Sequence, residues 1–122
     1  MAVRTNQENI KIEPVYLAWG NRQLDKITAV DDVASSLNDT YWEFQSVRPD
    51  RSTEWFYVWH NVDGAGTDPG LPTTGIEVAF VNGSDAAGIA AATRDAINTF
   101  MDSHSGAKAY AGLVSTGSSA FY

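Results

Sequence analysis

The segment Glu54–Val62 (EWFYVWHNV) constrains the fold more than any other part of the chain. Its residues are aromatic or β-branched almost throughout, which suits a pleated strand. Alternation puts Trp55, Tyr57 and Trp59 on one face and Phe56, Val58 and Val62 on the other. Both faces are apolar, so this strand has to be central and covered on both sides. A chain of 122 residues can supply that cover within one domain, burying roughly two-thirds of its unfolded surface.

The neighbours follow from the same alternation. Tyr41–Val47 (YWEFQSV) reads as a strand with Trp42 and Phe44 on one face and Tyr41, Glu43 and Gln45 on the other, and Arg48-Pro49-Asp50-Arg51-Ser52 turns the chain back. Trp42, Phe44, Trp55, Phe56, Tyr57 and Trp59 form the expected aromatic core. Gly75–Val81 (GIEVAFV) is a further strand with Ile76, Val78 and Phe80 on one face, reached through a long Gly/Pro loop, Asp63–Thr74. Val15–Trp19 and Leu24–Val30 are shorter strands, and Asp31–Thr40 is a loop with Val33 and Leu37 tucked inward. Pro14 bars an interior strand, so residues 1–13 read as an extended arm.

From Asp85 to about Asp102 the period becomes helical, with Ile89, Thr93, Ala96/Ile97 and Phe100/Met101 on one stripe. Ser84 is the expected N-cap, with Asp85 suiting the positive end of the helix dipole, and Gly106 the expected terminator. Tyr110–Val114 is a strand candidate before a Ser/Gly-rich ending. Strands followed by one helix predict an α+β domain: an antiparallel β-sandwich or sheet with one Ala-rich helix packed on a face. The arm takes residues 1–13 and the domain residues 14–122.

Charge and composition exclude several classes of function. Fifteen acids against eight bases give a net charge of −7. A nucleic-acid binder needs a dense Lys/Arg footprint, and an anionic membrane repels such a surface. No apolar run approaches the ~18 residues of a membrane span, and MAVRTNQENI is too polar for a signal peptide. Zero Cys removes disulfide scaffolds, thiolate metal sites and Cys nucleophiles.

Little catalytic chemistry is then expected. His60 reads as a packed or edge-exposed strand residue, and His104 as a solvated residue at the helix end, where the dipole favours its cation. No Ser stands in a G-x-S-x-G context. Asp63-Gly64-Ala65-Gly66-Thr67-Asp68 resembles a fragment of a calcium loop but lacks the remaining ligands, and turn chemistry explains it without a metal. Its glycines have no Lys nearby to make a phosphate cradle. The expectation is no catalytic residue, no metal and no cofactor.

Two segments carry more than composition can. Ile27–Ser46 (ITAVDDVASSLNDTYWEFQS) and Phe56–Phe80 (FYVWHNVDGAGTDPGLPTTGIEVAF), followed by the Ala-rich helix, resemble a small β-rich domain recurrent in structural proteins of tailed bacteriophages. The matching positions are Asp32, Val33, Ser36, Leu37, Asn38 and Tyr41 in the first segment. In the second they are Tyr57, Val58, Trp59, Asn61, Val62, Gly66, Asp68, Pro69, Thr74, Gly75, Ile76, Val78 and Ala79. The chain departs from the pattern at His60, where an aromatic is common, at Trp42 for Phe, and at Leu71-Pro72 in the loop.

The resemblance implies a non-enzymatic virion building block, located in the virion and assembled in the host cytoplasm. A tail component, tube-like, is favoured; a capsid decoration protein is the alternative, and a carbohydrate-binding adhesin module the alternative from another class. The implied partners are copies of the chain itself and other virion proteins, with no sequence-specific nucleic-acid binding and no membrane. Ile10 and Ile12 of the arm, with Asp63, Gly64, Gly66, Asp68 and Pro69 of the loop, are the expected interface. In a tube, the excess acids would line the bore, where like charge keeps DNA from sticking.

Overall fold

The computed structural model describes residues 3–5, 11–16, 23–48, 50–107, 109–112 and 120–121, with side chains for 26–48, 50–107 and 109–112. Its elements in chain order are β1 (Val3–Thr5), β2 (Lys11–Tyr16), β3 (Gln23–Thr28), β4 (Tyr41–Val47), β5 (Thr53–Val62), β6 (Thr74–Phe80), α1 (Ala86–Ser103) and β7 (Ala120–Phe121). One sheet has the order β1-β4-β5-β6 and a second the order β2-β3-β7. The architecture is a small α+β fold with a mixed sheet and one helix.

Alternation decides which side chains turn inward. Along β4, Trp42, Phe44 and Ser46 are buried and their neighbours are not. The register sets Trp42 against Val58 and Phe44 against Phe56, and continues from Val58 to Ile76. These rows share one core with Ile89, Ala90, Ile97 and Met101 of α1 and with Ile27 of β3. Phe44 and Phe56 stack at 5.1 Å, and Phe100 meets Phe56 edge-on at 6.0 Å. Each fully buried side chain of this size contributes about 2 kcal/mol. Tyr57 and Trp59, on the other face of β5, are buried as well, whereas Trp55 is half-buried.

The helix buries Ile89, Thr93, Ile97 and Met101, a strict four-residue spacing. Thr93 is tolerated there because its hydroxyl donates to the Ile89 carbonyl at 2.7 Å. The cap is Asp85 rather than Ser84: the Asp85 carboxylate accepts the Gly88 N–H, while the Ser84 hydroxyl turns back to the Val81 carbonyl. The helix stops at Ser103, and His104 caps it in extended geometry. Gly106 ends nothing. A Cβ there would collide with the Glu54 carboxylate and the His104 ring, so glycine is required by close packing.

Four further expectations are corrected. β6 runs parallel to β5, so the main sheet is mixed and not antiparallel. Residues 63–73 return the chain along the strand without a helix, and their length is what allows a parallel partner. Within the expected arm, Val3–Thr5 pairs with β4, and Lys11–Tyr16 pairs with β3 straight through Pro14. Proline is accommodated because β2 is an edge strand, where a missing N–H can face away from the ladder. Val33 is 68% exposed while Leu37 is buried. Tyr110–Gly112 is not strand, and Leu113 and Val114 lie outside the described residues, as do 17–19 of the first expected strand.

Candidate functional site

Because β5 and β6 are parallel and β4 is antiparallel to both, three loops meet at one end of the sheet. These are residues 29–40 before β4, the start of 63–73 after β5, and 81–85 between β6 and α1. Their Asp and Asn side chains tie them together. Buried Asp32 accepts the Leu37 N–H at 3.1 Å and, from the third loop, the Gly83 N–H at 3.0 Å. Asn38 accepts the Val62 N–H at 2.9 Å, and Asp39 the Thr67 N–H at 2.7 Å. Asn61 accepts the Gly66 N–H at 2.8 Å, and Asp63 the Asn82 N–H at 3.1 Å. Asp31 adds a bond to the first N–H of α1, Ala86, at 2.7 Å.

Short polar side chains are needed here because the backbone is contorted. Ala34, Ser35, Asp39 and Asp63 all have positive φ, between 52° and 65°. Such conformations persist only where surrounding bonds over-determine them. Gly66 is wedged against the Asn61 backbone, with a Cβ position only 2.8 Å from Asn61 Cα. Val33 and Val81, 68% and 67% exposed, stand in loops joined by the bonds Asp32 N–H to Ser84 O and Ser35 N–H to Asn82 Oδ1.

The expected interface residues do not form one patch. Asp63 and Gly64 sit at the loop end, exposed. Asp68 lies further along the crossover, where its carboxylate accepts the Tyr57 hydroxyl at 2.6 Å and the Gly70 N–H at 2.8 Å. Pro69 beside it is half-buried. Burial and the Asp68 bond push the Tyr57 pKa up to about 12. The Tyr57 ring lies on Gly75, whose Cβ position is 2.5 Å from Tyr57 Cζ. Ile12 belongs to β2 of the other sheet, and Ile10 lies outside the described residues. The Asp63 and Asp68 carboxylates serve different partners, and among the described residues no group of three or more acids or histidines gathers as a metal ion would need.

Both histidines are structural partners. His60 is buried on β5, with its ring edge-on to Phe80 at 5.5 Å and Nδ1 2.8 Å from Thr40 Oγ1. His104 is not a solvated helix end. Its ring stacks on Phe100 at 5.0 Å, and its Nε2 is 2.8 Å from Glu54 Oε2. Glu54 also receives Arg48 Nη2 at 2.9 Å and the Ala107 N–H at 3.2 Å. Burial alone would raise the Glu54 pKa, but the Ala107, His104 and Arg48 bonds together hold it below the usual value. Sequence reasoning missed this cluster because Glu54 and His104 are 50 positions apart.

An open groove of about 420 Å³ runs between β6 and α1, lined by Gly75, Ile76 and Glu77 on one side and Asp95, Ala96, Thr99 and Phe100 on the other. Three consecutive strand residues can line one groove only through their backbone edge. Among the described residues, no helix is long and apolar enough to cross a membrane. No protein-family model, curated protein or solved structure matches the chain, and the likeness to phage structural domains rests on the sequence pattern alone.

Proposed function

We propose that this chain is a repeated structural subunit of a tailed-bacteriophage virion, placed in the tail and tube-like in architecture. The observation that carries the reading is where the shared pattern falls. Asp32, Asn38, Asn61, Gly66, Asp68 and Gly75 all belong to it. Each of them either accepts a backbone N–H in the loops or leaves space for a tightly packed neighbour. A pattern spent on tying loops together and packing the backbone closely is what a building block needs.

In this reading the β2-β3-β7 sheet forms the second layer of a sandwich, and the 63–74 loop contacts neighbouring copies. The subunit performs no catalysis, uses no cofactor and works inside the virion. A capsid decoration protein is the second reading, favoured by the same rigid loop end presented from a small domain. A glycan-binding module is the reading from another class: buried Trp42 and Trp59 offer no face to a sugar ring, and half-buried Trp55 is the residue on which it would rest.

A particle map tests this. Copy number and symmetry matching tail rings support the tail; copies bound to expanded heads, and stripped without loss of the head, support decoration. A particle in which the chain occupies neither position refutes the proposal.

A further inference from the structure

The outer edge of β6 is a feature the fold leaves unused. β6 is the last strand of its sheet. The Phe80 carbonyl accepts the Asp63 N–H, so Phe80 turns its backbone groups towards β5. Alternate residues of a strand turn the same way. Ile76 and Val78 therefore also bond β5, while Gly75, Glu77 and Ala79 turn their N–H and C=O groups outward. Among the described residues, nothing pairs with that row. Natural edges are blunted by Pro, Lys, a bulge or a covering loop or helix; here α1 flanks the edge across an open groove without bonding its backbone row. The segment TGIEVAF has only Glu77, whose carboxylate Asn61 Nδ2 holds at 2.5 Å over β5.

We infer that this edge pairs, antiparallel, with the β6 edge of a second copy. A row of unpaired N–H and C=O groups calls for an extended strand, and β6 is complementary to itself. A two-fold axis through Val78 sets Val78 opposite Val78 and Ile76 opposite Phe80 on the helix side. On the other face it sets Glu77 opposite Ala79. Ile76 and Val78 are already buried in the single chain, so the contact newly joins the exposed row, in which each Glu77 carboxylate meets an Ala79 methyl group. The outward groups of Glu77 and Ala79 then bond those of the partner's Ala79 and Glu77. An axis through Glu77 would instead place two carboxylates face to face, which destabilises a strand pair. The Val78 axis also brings exposed Val81 over the partner's Gly75, covering an apolar side chain that is 67% accessible in the single chain. A two-fold contact uses up both edges and closes. It stands independently of the virion reading, whose rings or head lattices would use other surfaces.

Sedimentation tests this directly. The wild-type chain should run at twice its 13.2 kDa mass and the Ala79→Pro variant at the single mass. The Ala79 N–H faces outward, so proline there spares the β5 ladder, and an unchanged circular-dichroism spectrum verifies the fold. Ala79→Lys serves if the proline variant does not fold. The chain has no cysteine, so introduced thiols report the register. Directly opposite, hydrogen-bonded residues stand about 5.5 Å apart, within disulfide range. Oxidised Glu77→Cys/Ala79→Cys should form covalent dimers, and Glu77→Cys alone should not. A monomeric wild type at high concentration would overturn the inference. So would a folded Ala79→Pro or Ala79→Lys that still dimerises, or cross-linking by Glu77→Cys alone.

Discussion

Acid should weaken this fold through His60 before it reaches most of the carboxylates. Thr40 Oγ1 donates its own proton to the Leu37 carbonyl at 2.6 Å, so at 2.8 Å it can only accept from His60. Nδ1 of His60 therefore carries a proton, and burial favours the neutral ring. Burial pushes its pKa from 6.5 down to about 4, opposed by the charge of Asp32. The unfolded chain takes up a proton at the ordinary value while the folded chain does not. Stability is full above about pH 6.5, falls as the pH drops below it, and levels off below about 4. At about pH 5 the unfolded histidine lies about 1.5 units below its pKa. At about 1.4 kcal/mol per unit, the fold has then lost about 2 kcal/mol.

Urea unfolding at about pH 7.5 and about pH 5, on the wild type and on His60→Asn, measures this. The asparagine amide can take over the bond to Thr40 but does not titrate. Loss of the ring contact with Phe80 should lower the variant by about 1–2 kcal/mol at both pH values. The drop between the two pH values should shrink by about 2 kcal/mol. Glu54 and Asp50, both held below their ordinary values by hydrogen bonds, titrate under this window. A wild type with equal stability at both pH values, or a variant that falls as much as the wild type, would refute the reasoning.

Three further outcomes are expected. Gly75→Ala should cost about 1–3 kcal/mol, because the Tyr57 ring it strikes is buried and tied to Asp68; a double-mutant cycle with Tyr57→Leu should recover part of the loss. Asp32→Ala leaves the Leu37 and Gly83 N–H groups without their acceptor and should cost about 3 kcal/mol by thermal unfolding, with Asp32→Asn costing less. Asn98 both donates to the Ala111 carbonyl and accepts its N–H, so Asn98→Ala should speed amide exchange at Ala111 while lowering global stability by only about 1 kcal/mol.

The parts of the fold that were legible are those with a period. Alternation located β4, β5 and β6, and the four-residue stripe located α1, because burial imposes those periods on the side chains. Strand direction carries no period. Val58 faces the core whether β6 runs up or down, and only the length of 63–73 bore on it. The loop end was half legible. Asp32, Asn38 and Asp63 read as turn formers, which they are, but their partners lie in other loops; Gly83 is 51 positions from Asp32. The Ser84–Asp85 exchange at the cap has the same cause, since the Ser84 hydroxyl is engaged by Val81 and its carbonyl by Asp32. Glu54 with His104 left no local trace at all.

This bears on the charge. The net −7 can be read as a surface property, a means of repelling DNA or neighbours. In the folded chain Asp31, Asp32, Asp39, Asp63, Asp68 and Asp85 each accept a backbone N–H. Much of the acidity is thus concentrated where loops need acceptors, and its placement follows from the backbone. Replacing those acids to test a role in electrostatic repulsion would unpick the loop end as well. Glu77, Asp95 and Asp102 accept no backbone N–H among the bonds described, and changing them to amides would alter the charge with far less effect on the fold. A function that depends on net charge should respond to the second set, and one that depends on the rigid loop end only to the first.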